Sequence, residues 1–203
     1  MNQKQLKKDI DSIARIDADV ETALQIIGYP EPRIRPEGLE TLLSTIIGQQ
    51  ISTEAAAAVM GRVRELLPRM QASELQMLSP ERLRAAGLSG RKVEYAFGLA
   101  DAIVDGSLDT GALNSMDDEQ AIRTITAIRG FGDWSAEIYL MFSLQRSDIF
   151  PAKDLALQIA LQRLKGLKQR PSDRQARSLI EHWSPWRSAG SLFLWHYYRG
   201  APT

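Results

Sequence analysis

An aspartate, Asp154, and a glycine pair bracketing one apolar residue, Gly130-Phe131-Gly132, are the residues whose types and spacing could do chemistry. The chain has no cysteine, and His182 and His196 are its only histidines. Disulfides, cysteine-held zinc and iron–sulfur clusters are therefore excluded, and chemistry must come from carboxylates, hydroxyls, amines or backbone. Asp154 follows Pro151 and heads the helical pattern "DLALQIALQRL". An aspartate there serves as a cap of the helix or as a reacting carboxylate, and a helix N-terminus favours the ionised form that either role needs. The glycines lie between helical patterns at 117–128 and 134–143. Such a turn needs positive φ and close backbone approach, and the helix that follows offers unpaired N–H groups and a positive dipole end to an anion. Taken alone, the triplet is equally a tight turn within a helical bundle, with Phe131 pointing inward to staple it.

The elements that must position these residues are helical. Stretches such as "LETLLSTIIG", "RKVEYAFGLADAIVDG", "WSAEIYLMFSL" and "RQARSLIEHW" place apolar residues at three- and four-residue intervals, and no stretch alternates as a strand does. Ser52 or Thr53, Ser79, Asp117 and Ser172 read as N-caps, while Gly87, Gly106 and Gly166 read as stops. The pattern predicts an all-α protein of ten or more helices. The breaks "GYPEPRIRPEG" and "SLQRSDIFPAK" suggest a central helical lobe at about 39–145 and a second lobe from the two chain ends, within a single domain of 203 residues. Alanines 55–58 suggest close helix packing beside residues 49–52.

Composition narrows the class. The 44% hydrophobic content suffices for a core, and 25 basic side chains balance 25 acidic ones, so no global field draws the chain to a polyanion. No run of eighteen apolar residues occurs and the N-terminus lacks a signal-peptide pattern, so the expectation is a cytoplasmic protein with no membrane partner. Locally, six cations between Arg163 and Arg177 face one acid, Asp173, and read either as a solvated helix end or as a phosphate-contacting patch.

Four separated motifs occur in order: "STIIGQQIS" (44–52), "GLSGRKVEYAFGLA" (87–100), Ile128-x-Gly-Phe-Gly-x-Trp-Ser-Ala followed by Pro151-Ala-x-Asp-Leu-Ala-Leu, and "WSPWRSAGSLFLW" (183–195). Together they resemble the helix-hairpin-helix DNA glycosylase superfamily, in particular its DNA-3-methyladenine glycosylase II branch. The resemblance implies a two-lobed helical fold, a helix-hairpin-helix DNA-binding motif and a partner of damaged double-stranded DNA; a monomer is the default expectation, nucleoid-associated if the source is bacterial. It implies that Asp154 is the catalytic carboxylate and that Trp134 and Trp195 line the base pocket. It further implies that Gln50 is the wedge filling the gap left by a flipped base, with Ser52 beside it and Lys92, Gly130, Phe131 and Gly132 also at the DNA. Main-chain amides of the hairpin would grip phosphate, which lets a neutral protein hold DNA. No cofactor is required, although a structural monovalent cation on the hairpin carbonyls of Ile128 and Phe131 is part of the implied pattern.

The implied activity is hydrolytic excision of alkylated bases, of the 3-methyladenine and 7-methylguanine type, in base excision repair. Alternatives are another lesion on the same fold (uracil, hypoxanthine or an oxidised base) or noncatalytic binding of distorted DNA. Lyase members of the superfamily carry a nucleophilic lysine two positions after the second hairpin glycine; Trp134 stands there in this chain. No strand cleavage is therefore expected. Where the branch usually has an acid before the catalytic aspartate, this chain has Lys153. From residue types alone, the two tryptophans also read as core and Gln49 and Gln50 as caps.

Overall fold

The computed structural model describes residues 1–200. Among the described residues the regular elements are all helical: α1 (Gln3–Ala14), α2 (Ala18–Ile27), α3 (Leu39–Gly48), α4 (Thr53–Leu66), α5 (Ala72–Gln76), α6 (Pro80–Ala85), α7 (Gly90–Val104), α8 (Asp118–Thr126), α9 (Asp133–Phe142), α10 (Leu155–Leu164), α11 (Asp173–Leu179) and α12 (Arg187–Gly200), with short 3-10 turns at Ala112–Ser115 and Glu181–Trp183. No described helix is long and apolar enough to cross a membrane. The chain forms two compact units, one of Arg35–Tyr139 and one of Met1–Ile34 with Leu140–Thr203.

In the unit built from the chain ends, α12 packs against α1, α2 and α10. Helix α12 is apolar over much of its circumference, and Ala189, Phe193 and Leu194 lose all exposure. Gly190 lets it close on the neighbouring turn, because a Cβ there would stand 2.5 Å from the Trp183 ring. Trp183 in turn is held by Asp17, the N-cap of α2. The Asp17 carboxylate is 2% exposed. It accepts hydrogen bonds from the Trp183 indole N–H (2.7 Å) and from Lys165 Nζ (2.6 and 2.7 Å), and His182 Nε2 lies 3.1 Å away. Burial alone would raise this carboxyl, but the bonds from Lys165, Trp183 and His182 outweigh it and hold Asp17 below the usual carboxylate range. One side chain thereby ties the start of α2, the end of α10 and the turn before α12.

The cation-rich stretch 163–177 belongs to this unit, and half of it is occupied within the fold. Lys165 pairs with Asp17 and also with Asp19 at 2.8 Å, Arg177 donates to the Phe150 carbonyl (3.1 Å), and the Arg163 guanidinium lies over the Tyr198 ring at 5.5 Å. Lys168, Arg170 and Arg174 remain as exposed side chains.

In the central unit α7 is the hub, contacting α3, α5 and α6. Its Ala96, Leu99 and Ala100 are fully buried. The close packing expected of alanines 55–58 does not occur: Ala55, Ala57 and Ala58 are exposed and Ala56 is half-buried. Helix α4 buries Val59, Met60 and Val63 instead, so the alanines contribute helix propensity at its solvent-facing start.

Because the buried Asp17 carboxylate holds Lys165, the Trp183 indole and His182 together, Asp17→Asn leaves Lys165 to Asp19 alone and loses about 1.5 to 3 kcal/mol of stability at neutral pH, measured by urea unfolding. The lowered folded pKa makes the Asp17 contribution complete above the unfolded value of about 3.9 and lost as pH falls through the folded one. The gap between wild type and variant accordingly closes in acid.

Candidate functional site

Asp154 caps α10. Its backbone is extended (φ −71°, ψ 120°) and its Oδ1 accepts the Leu157 N–H at 3.0 Å. The preceding loop is tight: Asp154 N–H donates to the Pro151 carbonyl (2.8 Å), and the Gln158 side-chain amide donates to the Ala152 carbonyl (2.7 Å). A second donor reaches Oδ1 from α12, the indole N–H of Trp195 at 3.1 Å. Asp154 and Trp195, assigned separate roles by sequence, are thus bonded to each other. The carboxylate is half-exposed while the tryptophan is 8% exposed. The Trp195 ring packs against Phe142 (centroids 5.8 Å apart, tilted by 36°), and the Arg33 guanidinium lies over it, 5.8 Å from the centroid. Neither the edge-on use of the indole nor Arg33 was legible in the sequence, because both depend on contacts between distant segments.

The other predicted residues lie in the central unit. Gln50 sits at the tip of the α3–α4 turn, exposed and with a φ of 59°. A left-handed backbone is uncommon for a residue with a Cβ and persists only where its surroundings impose it. Ser52 follows as the N-cap of α4, its hydroxyl accepting the Ala55 N–H at 3.2 Å. Gln49, which ends α3, donates its side-chain amide to the Gly130 carbonyl at 2.8 Å. This residue fastens the α3–α4 turn to the glycine turn; the sequence pointed to it only through the repeated glutamine. Lys92 donates its ammonium to the Ile47 carbonyl (2.8 Å) in the last turn of α3, and burial lowers its pKa. It satisfies a helix C-terminus, where a cation is favoured.

The two glycines of the triplet have different reasons. Gly130 has a φ of 102°, and a Cβ there would meet the Tyr95 ring at 2.6 Å. Its missing side chain serves the protein's own packing against α7, not the approach of another molecule. Around Gly132 nothing would meet a Cβ within 4 Å. Its carbonyl accepts the Ala136 N–H (3.1 Å), so it opens α9 and faces free space. Phe131 between them is buried, and its N–H donates to the Ile128 carbonyl at 3.1 Å. In the first turn of α9, Trp134 is 39% exposed rather than core. Glu137 and Tyr139 are both buried, the Tyr139 hydroxyl accepting the Gly38 N–H at 2.8 Å. Among the described residues no group of three or more His, Cys, Asp or Glu side chains could hold a metal ion.

The arrangement therefore offers, in one unit, an oriented carboxylate beside an aromatic ring. In the other it offers a helix N-terminus opened by glycine and a strained polar residue at a turn. Residues 43–185 match the family model described as HhH-GPD superfamily base excision DNA repair protein. Among solved structures the chain is similar to the 3-methyladenine DNA glycosylase Mag1 of Schizosaccharomyces pombe in complex with abasic DNA. The TM-score is 0.86 and the identity 26%, with 96% of this chain and 98% of that one covered. It is also similar to a DNA-3-methyladenine glycosidase from Bacillus halodurans, with a TM-score of 0.85, 30% identity, and 94% and 88% of the two chains covered. DNA-3-methyladenine glycosylase 2 of Escherichia coli is 29% identical over 87% of this chain, which spans 65% of that protein.

The two glycines separate in a stability measurement. Gly130→Ala combines a positive φ with a clash on Tyr95 and lowers the unfolding free energy by about 2 kcal/mol or more, whereas Gly132→Ala stays within about 1 kcal/mol. Equal thermal shifts for the two variants would contradict this assignment.

Proposed function

This chain belongs to the HhH-GPD superfamily of base excision DNA repair proteins, and on that premise we propose that it is a monofunctional DNA glycosylase that flips out alkylated bases and hydrolyses them from the sugar. The observation that carries the reading is the Asp154 carboxylate, fixed at one oxygen by the Leu157 and Trp195 N–H groups. In the reaction the bond between C1′ and the base nitrogen breaks with its electron pair passing to the base. Positive charge develops on the deoxyribose, a water oxygen bonds to C1′, and that water gives up a proton. A preorganised anion stabilises the developing cation and accepts or orients the water proton, without reorganising at the moment of reaction. The products are a free base and an abasic site with the strand intact, since Trp134 stands where a lyase needs an amine.

The central unit supplies the grip. Backbone amides at the start of α9, beside the open Gly132, suit a phosphate. Gln50, held in its left-handed conformation at an exposed turn, serves as the wedge that offsets the cost of unstacking. Ser52 lies two residues on, at the same turn. Lys92 acts by fixing the end of α3. Exposed Trp134 offers an aromatic face for a flipped purine, worth about 0.5 to 2 kcal/mol toward a cationic one. A monovalent cation at the hairpin fits the donors present. The Ile128 carbonyl, which accepts one N–H, has two lone pairs, and the Phe131 carbonyl lies three residues on. Such a cation would add positive charge beside the phosphate. The same reading has the protein act as a monomer in the cytoplasm on damaged double-stranded DNA.

Release of bases from methylated duplex DNA, resolved by chromatography, tests the activity directly, and a wild type that releases none overturns it. Asp154→Asn retains the cap and an acceptor for Trp195 but removes the anion. Single-turnover excision should fall by about 10² to 10³ while folding and DNA affinity persist. A change below about threefold would leave Asp154 as a cap only. Gln50→Ala should slow excision of a well-paired lesion more than of the same lesion opposite a mismatch, and equal slowing would argue against the wedge.

A further inference from the structure

The face of Trp195 is not open to a base in this structure. Phe142 packs on the ring and the guanidinium of Arg33 lies over it, leaving the residue 8% exposed. Arg33 is presented by the irregular segment 28–38, in which Pro30, Pro32 and Pro36 each fix their own φ. The backbone of that segment is stiffened while the arginine itself is exposed and has a flexible stem. A guanidinium is weakly hydrated and stacks well on aromatic faces, so this is a favourable resting place for it. It is also adjacent to the carboxylate, because the ring beneath Arg33 donates its N–H to Asp154.

We propose that Arg33 sets the charge preference of the base pocket, occupying the indole face on which a flipped base stacks and disfavouring cationic bases relative to neutral ones. The inference rests on the glycosylase reading above and adds a specificity-determining residue to it. A cationic base such as 7-methylguanine or 3-methyladenine must displace one cation from the ring and then sit beside it. Its attraction to the indole is therefore offset by loss of the arginine contact and by repulsion from a like charge. A neutral lesion such as ethenoadenine feels no such repulsion. It departs with an electron pair that makes it an anion until protonated, and a nearby guanidinium stabilises that charge. Removing the charge of Arg33 thus helps one class and hinders the other.

The test compares single-turnover excision of 7-methylguanine and ethenoadenine by wild type and by Arg33→Met and Arg33→Gln, two neutral side chains of similar reach. Arg33→Lys keeps the charge without the planar stacking. Both neutral variants should raise the ratio of 7-methylguanine to ethenoadenine excision by roughly threefold to thirtyfold, whereas the lysine variant stays within about twofold of wild type. The chromatographic assay reads both bases at once, and thermal unfolding shows whether each variant keeps its fold. If both lesions change by the same factor, Arg33 only braces Trp195 and the proposal is overturned, as it is by an unchanged ratio in either folded neutral variant. A wild type that releases neither base instead overturns the glycosylase reading, and the proposal with it.

Discussion

Two N–H groups converge on one oxygen of Asp154, one from the first turn of α10 and one from the Trp195 indole on α12. The chemistry proposed for the chain depends on that pair of bonds, because they fix its carboxylate. A capping aspartate is extended by necessity, with its side chain turned back over the helix start, so the conformation that satisfies the orphan amide also immobilises the carboxylate. Trp195 then restricts rotation from the other side. The helix carrying Asp154 is packed on the helix carrying Trp195, and the buried Asp17–Lys165 pair ties the far end of α10 to α2 and Trp183. A fixed anion of this kind is what stabilisation of a developing sugar cation requires, because little orientation remains to be ordered when charge appears.

In the proposed reading the central unit has a different problem to solve, which is to offer anion contacts from a protein without net charge. Backbone amides and a helix terminus do this without side-chain cations, but only if the turns that carry them are held in place. Gln49 on the Gly130 carbonyl, Lys92 on the Ile47 carbonyl and Tyr95 against Gly130 supply the hold. The turn bearing Gln50 and the turn bearing Gly132 are consequently parts of one braced surface. Gln49 and Lys92, two polar side chains within motifs, are thus spent on backbone carbonyls, while Gln50 and Trp134 remain exposed.

The cation-rich stretch 163–177 illustrates why local charge is a poor guide to a binding face. Lys165, Arg177 and Arg163 look equivalent to Lys168, Arg170 and Arg174 along the chain, yet the first three are used by Asp17, the Phe150 carbonyl and Tyr198. Alanines 55–58 make the same point for packing, since small residues fit both an interface and an exposed helix start, and neighbours decide which. The tryptophans diverge as well: Trp134 is exposed and Trp195 buried, although both sit in helical patterns with apolar neighbours.

What the sequence by itself determined is what short-range physics governs. Helix periodicity, the N-caps at Ser52, Ser79, Asp117 and Ser172, and the glycine stops act within a few residues of chain, and the structure has them where the pattern puts them. Asp154 belongs to that group, since its capping role follows from its place before α10. The family was legible too, because its motifs are local strings in a set order. Only the tertiary structure decided that Asp154 and Trp195 share a hydrogen bond, that Gln49 rather than Gln50 grips the glycine turn, that Gly130 is demanded by Tyr95 while Gly132 is open, and that Arg33 covers the Trp195 ring. Each of these joins segments far apart in the chain, as Asp17 joins Lys165 across 148 residues. A hydrogen bond or ring contact of that kind depends on where the packed helices deliver two side chains, and no local preference encodes that meeting.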